Sequence, residues 1–212
     1  MKRLIIQTFG RQFGHPRGPL GQLVARLMRT GNAPLNLWMV GLLAVGPQDR
    51  VLEVGFGPGV ALAALLARAS DGFVAGIDLS GLMVRRARSR HADAIAAGRL
   101  EIRQGDAGSL PDEGATFDTV CGTHVIYFWP DAVATVRELR RVLRPGGTLA
   151  LAYQERERMP PPAKAGLSQA GATLYGPGEV ERVIRAAGFE DVRVETQVSP
   201  DGPAGFCVLA TK

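Results

Sequence analysis

Cysteine is scarce in this 212-residue chain, and its scarcity disfavours several classes of protein. Cys121 and Cys207 lie far apart, and neither belongs to a Cys-x-x-Cys or Cys/His cluster. A disulfide scaffold, a zinc finger and a Cys-ligated iron–sulfur cluster are therefore disfavoured. No other metal-ligating constellation is visible either. We expect no metal site, and we expect a reducing cytoplasm as the location.

Long apolar runs are also lacking. A membrane-spanning helix needs about 20 predominantly apolar residues. The longest uncharged stretch, residues 30–48, contains Asn32, Pro34, Asn36 and the internal glycines Gly41 and Gly46, so we interpret it as a buried or cap helix. The apolar run Leu4-Ile5-Ile6 is too short for a signal peptide. We therefore expect neither a membrane span nor a secretion signal.

Lysine is rare as well, although the chain is basic. The formal net charge is +5, with 22 arginines and three lysines. A basic surface would suit an RNA partner. Nothing else in the sequence supports one, because no recognisable RNA-binding module or added domain is present. We expect no nucleic-acid partner.

The length and the 46% hydrophobic content fit a single domain, residues 1–212, made of four parts. Residues 1–46 form a Gly-, Pro- and Arg-rich cap with helical patches near Leu20–Met28 and Leu35–Val45. Residues 47–153 alternate strand and helix patterns. Residues 154–176 form a loose insert that we expect to act as a lid, and residues 177–212 supply a helix and a pair of strands.

Seven short apolar runs predict strands. Between the first five, apolar residues at helical spacing predict helices. The strands are predicted at Arg50–Val54, Phe73–Ile77, Leu100–Gln104, Phe117–Cys121, Thr148–Tyr153, Val192–Thr196 and Phe206–Thr211. The helices between them are predicted at Val60–Arg68, Leu82–Ala97 and Ala132–Leu143. Such alternation predicts an α/β fold with a parallel sheet covered by helices on both faces. The last two strands are joined by a turn and should pair antiparallel.

The most informative stretch is Val51-Leu52-Glu53-Val54-Gly55-Phe56-Gly57-Pro58-Gly59. A strand ends, three glycines turn the chain, and a helix begins. Glycine lets the backbone turn tightly and approach a ligand without a side chain in the way. The spacing is not the Gly-x-Gly-x-x-Gly that is typical of dinucleotide binding. Glu53, two residues before Gly55, would repel a pyrophosphate but favour a cation such as an α-amino group or a sulfonium.

Two more carboxylates follow the next two predicted strands. Asp78 ends the second strand and could accept hydrogen bonds from both ribose hydroxyls. Asp106 follows the third strand and could accept a hydrogen bond from an adenine amino group. Ligands of open α/β sheets bind at the carboxyl ends of the strands. The carboxylates therefore indicate a nucleoside that carries a positive charge.

These segments resemble the class I S-adenosylmethionine-dependent methyltransferases, closely over residues 47–153 and more loosely over 177–212. Within that family, the chain is similar to the small-molecule methyltransferases of ubiquinone and menaquinone biosynthesis. The motifs that carry the resemblance are Glu53-Val54-Gly55-Phe56-Gly57-Pro58-Gly59, Gly76-Ile77-Asp78-Leu79-Ser80, Gln104-Gly105-Asp106-Ala107, Phe117-Asp118-Thr119-Val120 and Leu139-Arg140-Arg141-Val142-Leu143-Arg144-Pro145-Gly146-Gly147. The resemblance implies a Rossmann-like sheet of seven strands, mostly parallel, with the last strand antiparallel.

The resemblance also implies a role for each matching residue toward S-adenosylmethionine. The methionine end would be held by Glu53 and by the glycine loop of Gly55, Gly57 and Gly59. Asp78 would bind the ribose, Leu79 would pack on the adenine, and Asp106 with Ala107 would bind the adenine edge. The stretch Gly122-Thr123-His124 would pass near the sulfonium.

The side chains around the methyl acceptor are less constrained by the pattern. His124 is a candidate general base or a positioning residue. Tyr127 is a candidate for the acceptor wall, and Trp129 is either a wall residue or a packing residue. Further candidates in the cap and the insert are Asn36, Trp38 and Tyr175.

We therefore predict an enzyme that transfers a methyl group from S-adenosylmethionine to a small organic acceptor and releases S-adenosylhomocysteine. The transfer is an in-line displacement, in which positioning supplies much of the acceleration. The alternatives are an RNA or protein methyltransferase and a non-catalytic protein that binds S-adenosylmethionine. The sequence indicates neither the methylated atom nor the oligomeric state.

Overall fold

The computed structural model describes residues 31–199 and 202–212. The helical patch predicted near Leu20–Met28 lies outside these residues. The described helices are α1 (Ala33–Leu42), α2 (Val60–Arg68), α3 (Gly81–Arg90), α4 (Ala92–Ala96), α5 (Ala132–Val142), α6 (Pro161–Gln169) and α7 (Glu179–Ala186), with a 3₁₀ turn at Ile126–Phe128. The strands are β1 (Arg50–Val54), β2 (Phe73–Asp78), β3 (Leu100–Gln104), β4 (Phe117–Thr123), β5 (Leu143–Tyr153), β6 (Asp191–Ser199) and β7 (Gly202–Thr211).

The seven strands form one sheet in the order β3-β2-β1-β4-β5-β7-β6. Strands β1 to β5 pair in parallel, and β7 pairs antiparallel with both β5 and β6. The predicted Rossmann-like fold with an antiparallel last strand is confirmed. The chain leaves the edge strand β3 and returns beside β1 as β4, so the strand order reverses between β1 and β4. A crevice at the carboxyl ends of such strands is the usual ligand site of open α/β sheets.

Helices cover both faces of the sheet because successive side chains of each strand point to opposite faces. Val51 packs in the cluster on the face that carries α1, α2 and α3. Leu52, the next residue, packs in the opposite cluster with α5 and α7. Both residues are fully buried. The two apolar clusters fix the sheet between the helical layers, and this leaves the strand ends to build a site.

Two predicted segments differ from the structure. The single helix predicted over Leu82–Ala97 is two helices, α3 and α4, that meet at His91. The insert 154–176 is not loose throughout, because it contains α6. Proline is tolerated in the first turn of a helix, where its missing N–H has no intrahelical partner. Pro161 and Pro162 therefore begin α6 instead of preventing it.

No helix in the described ranges is long and apolar enough to cross a membrane.

We expect Leu65→Ala to lower the free energy of unfolding by about 2–5 kcal/mol, because it removes a buried side chain and leaves a cavity between α2 and the sheet. Leu65 is 0% exposed. The matched control is Leu37→Ala in α1, where 52% exposure predicts a change within about 0.5 kcal/mol. Urea denaturation measures both. Equal losses in the two variants would contradict this assignment of the core.

Candidate active site

A cavity of about 210 Å³ opens at the carboxyl ends of β1 to β4. Its walls are the loops that follow these strands, the N-terminal part of α1, and α6. The residues that line it are Asn32, Asn36, Gly55, Phe56, Gly57, Pro58, Val60, Ile77, Asp78, Leu79, Met83, Gly105, Asp106, Ala107, Thr123, His124, Val125, Tyr127, Phe128, Trp129, Gln154, Met159, Ala163 and Leu167.

The loop after β1 takes a course that favours glycine. Gly55, Gly57 and Gly59 have φ values of +62°, +49° and +73°, in the left-handed region that other residues rarely adopt. A Cβ on Gly55 would also collide with the side chain of Val125. Gly55 and Gly57, two of the predicted cofactor-binding residues, line the cavity. Gly59 lies beyond the wall, where it is the N-cap of α2.

Asp78 ties the glycine loop to the next loop. Its Oδ2 accepts a hydrogen bond of 2.8 Å from the backbone N–H of Gly57, and its Oδ1 accepts one of 2.8 Å from the N–H of Ser80. A third link of 2.7 Å joins the N–H of Gly55 to the carbonyl of Ile77. The predicted ribose carboxylate therefore lies on the cavity wall and also sets the path of both loops.

Glu53 lies behind the wall and does not line the cavity. Its side chain is on the face of Val51 and Cys121, under α1 and α2, and the residue is 1% exposed. Its Oε2 has no hydrogen-bond partner among the described residues. Burial has the largest effect on the pKa of Glu53 and, together with the charge of Asp78, raises it well above its ordinary value. A backbone hydrogen bond from Leu62 acts in the opposite direction and lowers the pKa. The sequence missed this burial, because it indicates the residue's place in the strand but not the helices that cover it.

The wall at β2 and β3 holds Leu79, Asp106 and Ala107, the residues that the sequence analysis assigns to the adenine. Leu79 is 42% exposed, an apolar side chain left uncovered at the rim of the cavity. The Oδ1 of Asp106 accepts a hydrogen bond of 2.9 Å from the N–H of Gly108, which orients its carboxylate. This end of the cavity combines an uncovered apolar surface with carboxylates. Such a combination suits a nucleoside, with its base, its amino group and its ribose hydroxyl groups.

Thr123 ends β4 and His124 follows it, and both lie on the opposite wall. The Nδ1 of His124 is 3.4 Å from the hydroxyl of Tyr127, and the two rings stack with centroids 5.9 Å apart. Burial lowers the pKa of His124 to about 4, so the imidazole is neutral at pH 7. Burial also raises the pKa of Tyr127 well above its ordinary value, and the phenol keeps its proton.

The candidates for the acceptor end divide into two groups. Asn36, Tyr127 and Trp129 line the cavity. Trp38 and Tyr175 do not. Trp38 packs beside the core cluster under α1, and Tyr175 is 7% exposed behind Tyr127, with ring centroids 6.4 Å apart. Both are candidates of the cap and the insert in the sequence analysis, and the structure places them in the packing rather than on the cavity wall.

Several lining residues were not singled out from the sequence. Met159, Ala163 and Leu167 of the insert reach the cavity from α6 and the turn before it. Their spacing of four residues is the signal that could have found them, because such residues share one face of a helix. The prolines at 160–162 masked that signal. The insert therefore covers the cavity with the apolar face of a helix.

A Rossmann-like sheet with a glycine loop and carboxylates at adjacent strand ends defines a nucleoside-binding α/β protein. Comparison with known proteins sharpens this class. Residues 51–147 match the methyltransferase domain family. The chain is 30% identical to the methyltransferase YdaC of Bacillus subtilis over 187 residues, which cover 88% of this chain and 96% of that one.

A second relative and a solved structure point the same way. The chain is 29% identical to demethylmenaquinone methyltransferase of Roseiflexus castenholzii over 177 residues, 72% of this chain and 73% of that one. The structure of a SAM-dependent methyltransferase from Aquifex aeolicus superposes with a TM-score of 0.71 at 21% identity, covering 90% of this chain and 97% of that one.

The chain belongs to the class I S-adenosylmethionine-dependent methyltransferases, and S-adenosylmethionine is its cofactor. The residues present fit this molecule. The wall with Asp78, Asp106 and the uncovered Leu79 has the chemistry that a nucleoside needs. The left-handed Gly55 and Gly57 leave the backbone bare where the ligand must approach it closely.

We expect Glu53→Gln to raise the melting temperature at pH 8 and to leave it nearly unchanged near pH 4. Burial keeps the carboxyl protonated in the folded protein, whereas the unfolded chain releases the proton above the ordinary pKa of 4.5. Stability is therefore lost as the pH rises from that value through the folded pKa, and glutamine removes the loss. Differential scanning calorimetry across this range measures it, with the exposed Glu101→Gln as control. A gain of equal size at both pH values would contradict the buried, protonated carboxyl.

Proposed function

We propose that this protein transfers the methyl group of S-adenosylmethionine to a small organic acceptor. The observation that carries the proposal is one cavity with two chemically different ends. Carboxylates and bare backbone form one end, beside β1, β2 and β3. Aromatic, amide and apolar side chains form the other, beside β4 and α6. Such a cavity suits a nucleoside donor at the first end and an organic acceptor at the second.

At the first end, the roles proposed for the residues follow their placement. Asp78 accepts hydrogen bonds from the ribose hydroxyls, Leu79 packs on the adenine, and Asp106 with Ala107 binds its edge. Gly55 and Gly57 hold the methionine end, because their bare backbone allows close approach. Glu53 acts from behind the loop, as a buried group under α2 that supports β1, since it does not reach the cavity. Thr123 lies at the boundary between the two ends.

The cofactor supplies an electrophilic methyl group on a sulfonium. The protein aligns the acceptor with that group and excludes water, and such positioning accounts for much of the acceleration in a displacement of this kind. Met159 and Leu167 of the insert bring apolar surface over the acceptor end. We propose that α6 acts as a lid, which closes when both molecules are bound.

Small-molecule acceptors are supported by the size of the cavity and by one relative. The acceptor end is bounded by Trp129, Phe128 and α6, and it offers a concave pocket rather than a flat surface for a macromolecule. The Roseiflexus relative is named for a small organic acceptor, demethylmenaquinone. Cys121 and Cys207 are free, buried thiols, which fits the proposed cytoplasmic location.

We expect Asp78→Ala to weaken binding of S-adenosylmethionine and S-adenosylhomocysteine by about 10- to 100-fold, because it removes charge-assisted hydrogen bonds and releases the glycine loop. The matched control is Asp118→Ala at the amino end of β4, which loses an ion pair of 2.7 Å with Arg144 but lies away from the cavity. Its affinity should stay within twofold of wild type, on the order of measurement error. Isothermal titration calorimetry measures both.

Catalysis is tested by the release of S-adenosylhomocysteine in the presence of phenols, quinols, thiols, amines, tRNA and a protein mixture. Turnover with small molecules alone supports the proposal. Turnover with tRNA or protein alone contradicts the acceptor class. Binding of both adenosyl ligands without turnover in any mixture would indicate a non-catalytic binding protein instead.

A further inference from the structure

His124 holds a backbone conformation that non-glycine residues seldom adopt. Its φ is +58°, and its N–H donates a hydrogen bond of 2.8 Å to the carbonyl of Ala152 on the neighbouring strand. A left-handed residue of this kind persists where its surroundings hold it, and such residues cluster at functional sites. This conformation brings the imidazole to the cavity wall next to Thr123.

The hydroxyl of Tyr127 decides which nitrogen of His124 carries the proton. It donates its one hydrogen to the carbonyl of Gln154 at 2.8 Å and accepts the N–H of Gln154 at 2.6 Å. With that hydrogen used, the hydroxyl can only accept from Nδ1 of His124, 3.4 Å away. The neutral imidazole is therefore protonated on Nδ1, and Nε2 keeps an unprotonated lone pair.

The acceptor end contains no charged side chain among the lining residues that the structure describes. The residues there are Asn32, Asn36, His124, Tyr127, Phe128, Trp129, Gln154, Met159, Ala163 and Leu167. Burying an unpaired charge is costly, so an ammonium or carboxylate on the acceptor would find no partner on these walls. An uncharged aromatic or apolar acceptor with a hydroxyl group fits better, because Nε2 can accept its hydrogen bond.

We propose that Nε2 of His124 takes the proton of a hydroxyl group on an uncharged, phenol-like acceptor, and that Tyr127 is the positioning residue that keeps Nε2 unprotonated. This proposal rests on the proposed methyl transfer. The S–CH₃ bond breaks with its electron pair on sulfur, a C–O bond forms, and the hydroxyl proton moves to Nε2. The positive charge of the site passes from the sulfonium to the imidazolium, so the site's net charge is unchanged.

A weakly basic imidazole is sufficient for this step. Burial lowers the pKa of His124 to about 4, far below that of a phenol. The oxygen becomes much more acidic as the methyl group bonds to it, however, and proton transfer becomes favourable along the reaction. His124 therefore removes a proton that the product cannot keep and does not need to produce a free phenolate beforehand.

The groups that face His124 do not titrate near neutral pH. Tyr127 is the titratable side chain in contact with it in the described part of the chain, and the phenol of Tyr127 stays protonated. No charged side chain in that part of the chain contributes to the lowered pKa of His124. With phenol as acceptor, kcat should therefore be flat from about pH 6 to 8 and fall only toward about pH 4. A rate that follows the ionisation of the phenol itself would contradict the proposal.

The kinetic test compares His124→Gln and Tyr127→Phe with the wild type on phenol, 4-cyanophenol and 4-nitrophenol. With phenol, kcat should fall about 10²- to 10⁴-fold in His124→Gln, the range for loss of a general base, and about tenfold in Tyr127→Phe. The loss in His124→Gln should shrink with 4-nitrophenol, which is largely ionised at pH 8. Tyr153, in β5, is another buried tyrosine, and Tyr153→Phe is the matched control. It should keep the wild-type kcat.

The tautomer has a readout that needs no turnover. Long-range ¹H–¹⁵N spectra of the protein bound to S-adenosylhomocysteine distinguish a protonated from an unprotonated ring nitrogen. Wild-type His124 should be protonated on Nδ1, and Tyr127→Phe should shift the population toward protonated Nε2. Protonated Nε2 in the wild type would overturn the role of Tyr127.

The outcomes separate this proposal from the function on which it rests. Methylation of thiols or amines but of no phenol, or an equal loss of kcat with all three phenols in His124→Gln, would overturn the role of His124 and leave methyl transfer standing. Methyl transfer to carbon instead of oxygen would also overturn it. Failure of the wild type to bind S-adenosylhomocysteine would instead refute the proposed function.

Discussion

The carboxylate of Asp78 joins the two loops on which the cavity depends. One oxygen accepts the N–H of Gly57, and the other accepts the N–H that starts α3. The side chain of Phe56 packs the first loop into the core, and the hydrogen bonds of Asp78 tie the backbone of that loop to the start of the next. A carboxylate is suited to this because both of its oxygens accept, and charge-assisted bonds are stronger than neutral ones. The residue that we propose to bind the ribose is thus also the residue that shapes the cavity wall.

The opposite wall depends on a steric constraint. Val125 fills the space that a Cβ on Gly55 would need, so the loop after β4 packs directly on the glycine loop after β1. In the loop after β4, His124 has a left-handed backbone conformation, and its ring stacks on the ring of Tyr127. The donor and acceptor ends are therefore built as one unit, and a change in either loop is transmitted to the other. In the proposed function, this contact would keep the donor and the acceptor in a fixed relative position.

Much of this arrangement could be predicted from the sequence because it is local. Asp78 ends β2, the glycine loop and Asp106 follow β1 and β3, and parallel strands bring their carboxyl ends to one edge. The remaining features depend on contacts between distant segments. The burial of Glu53 depends on α1 and α2, the displacement of Trp38 and Tyr175 into the packing depends on the helices around them, and the tautomer of His124 depends on the backbone of Gln154. Helix α6 was not predicted from the sequence because its prolines occupy the first turn, where they do not break a helix.

The central claim is that one cavity holds the nucleoside at Asp78 and Asp106 and turns the sulfur toward His124. A crystal structure of the protein with S-adenosylhomocysteine tests this most directly. We expect the ribose hydroxyls to contact Asp78, the adenine to cover Leu79, and the sulfur to face Nε2 of His124 across the space for the acceptor. A nucleoside bound in another part of the cavity, or a sulfur directed away from His124 and α6, would contradict the account.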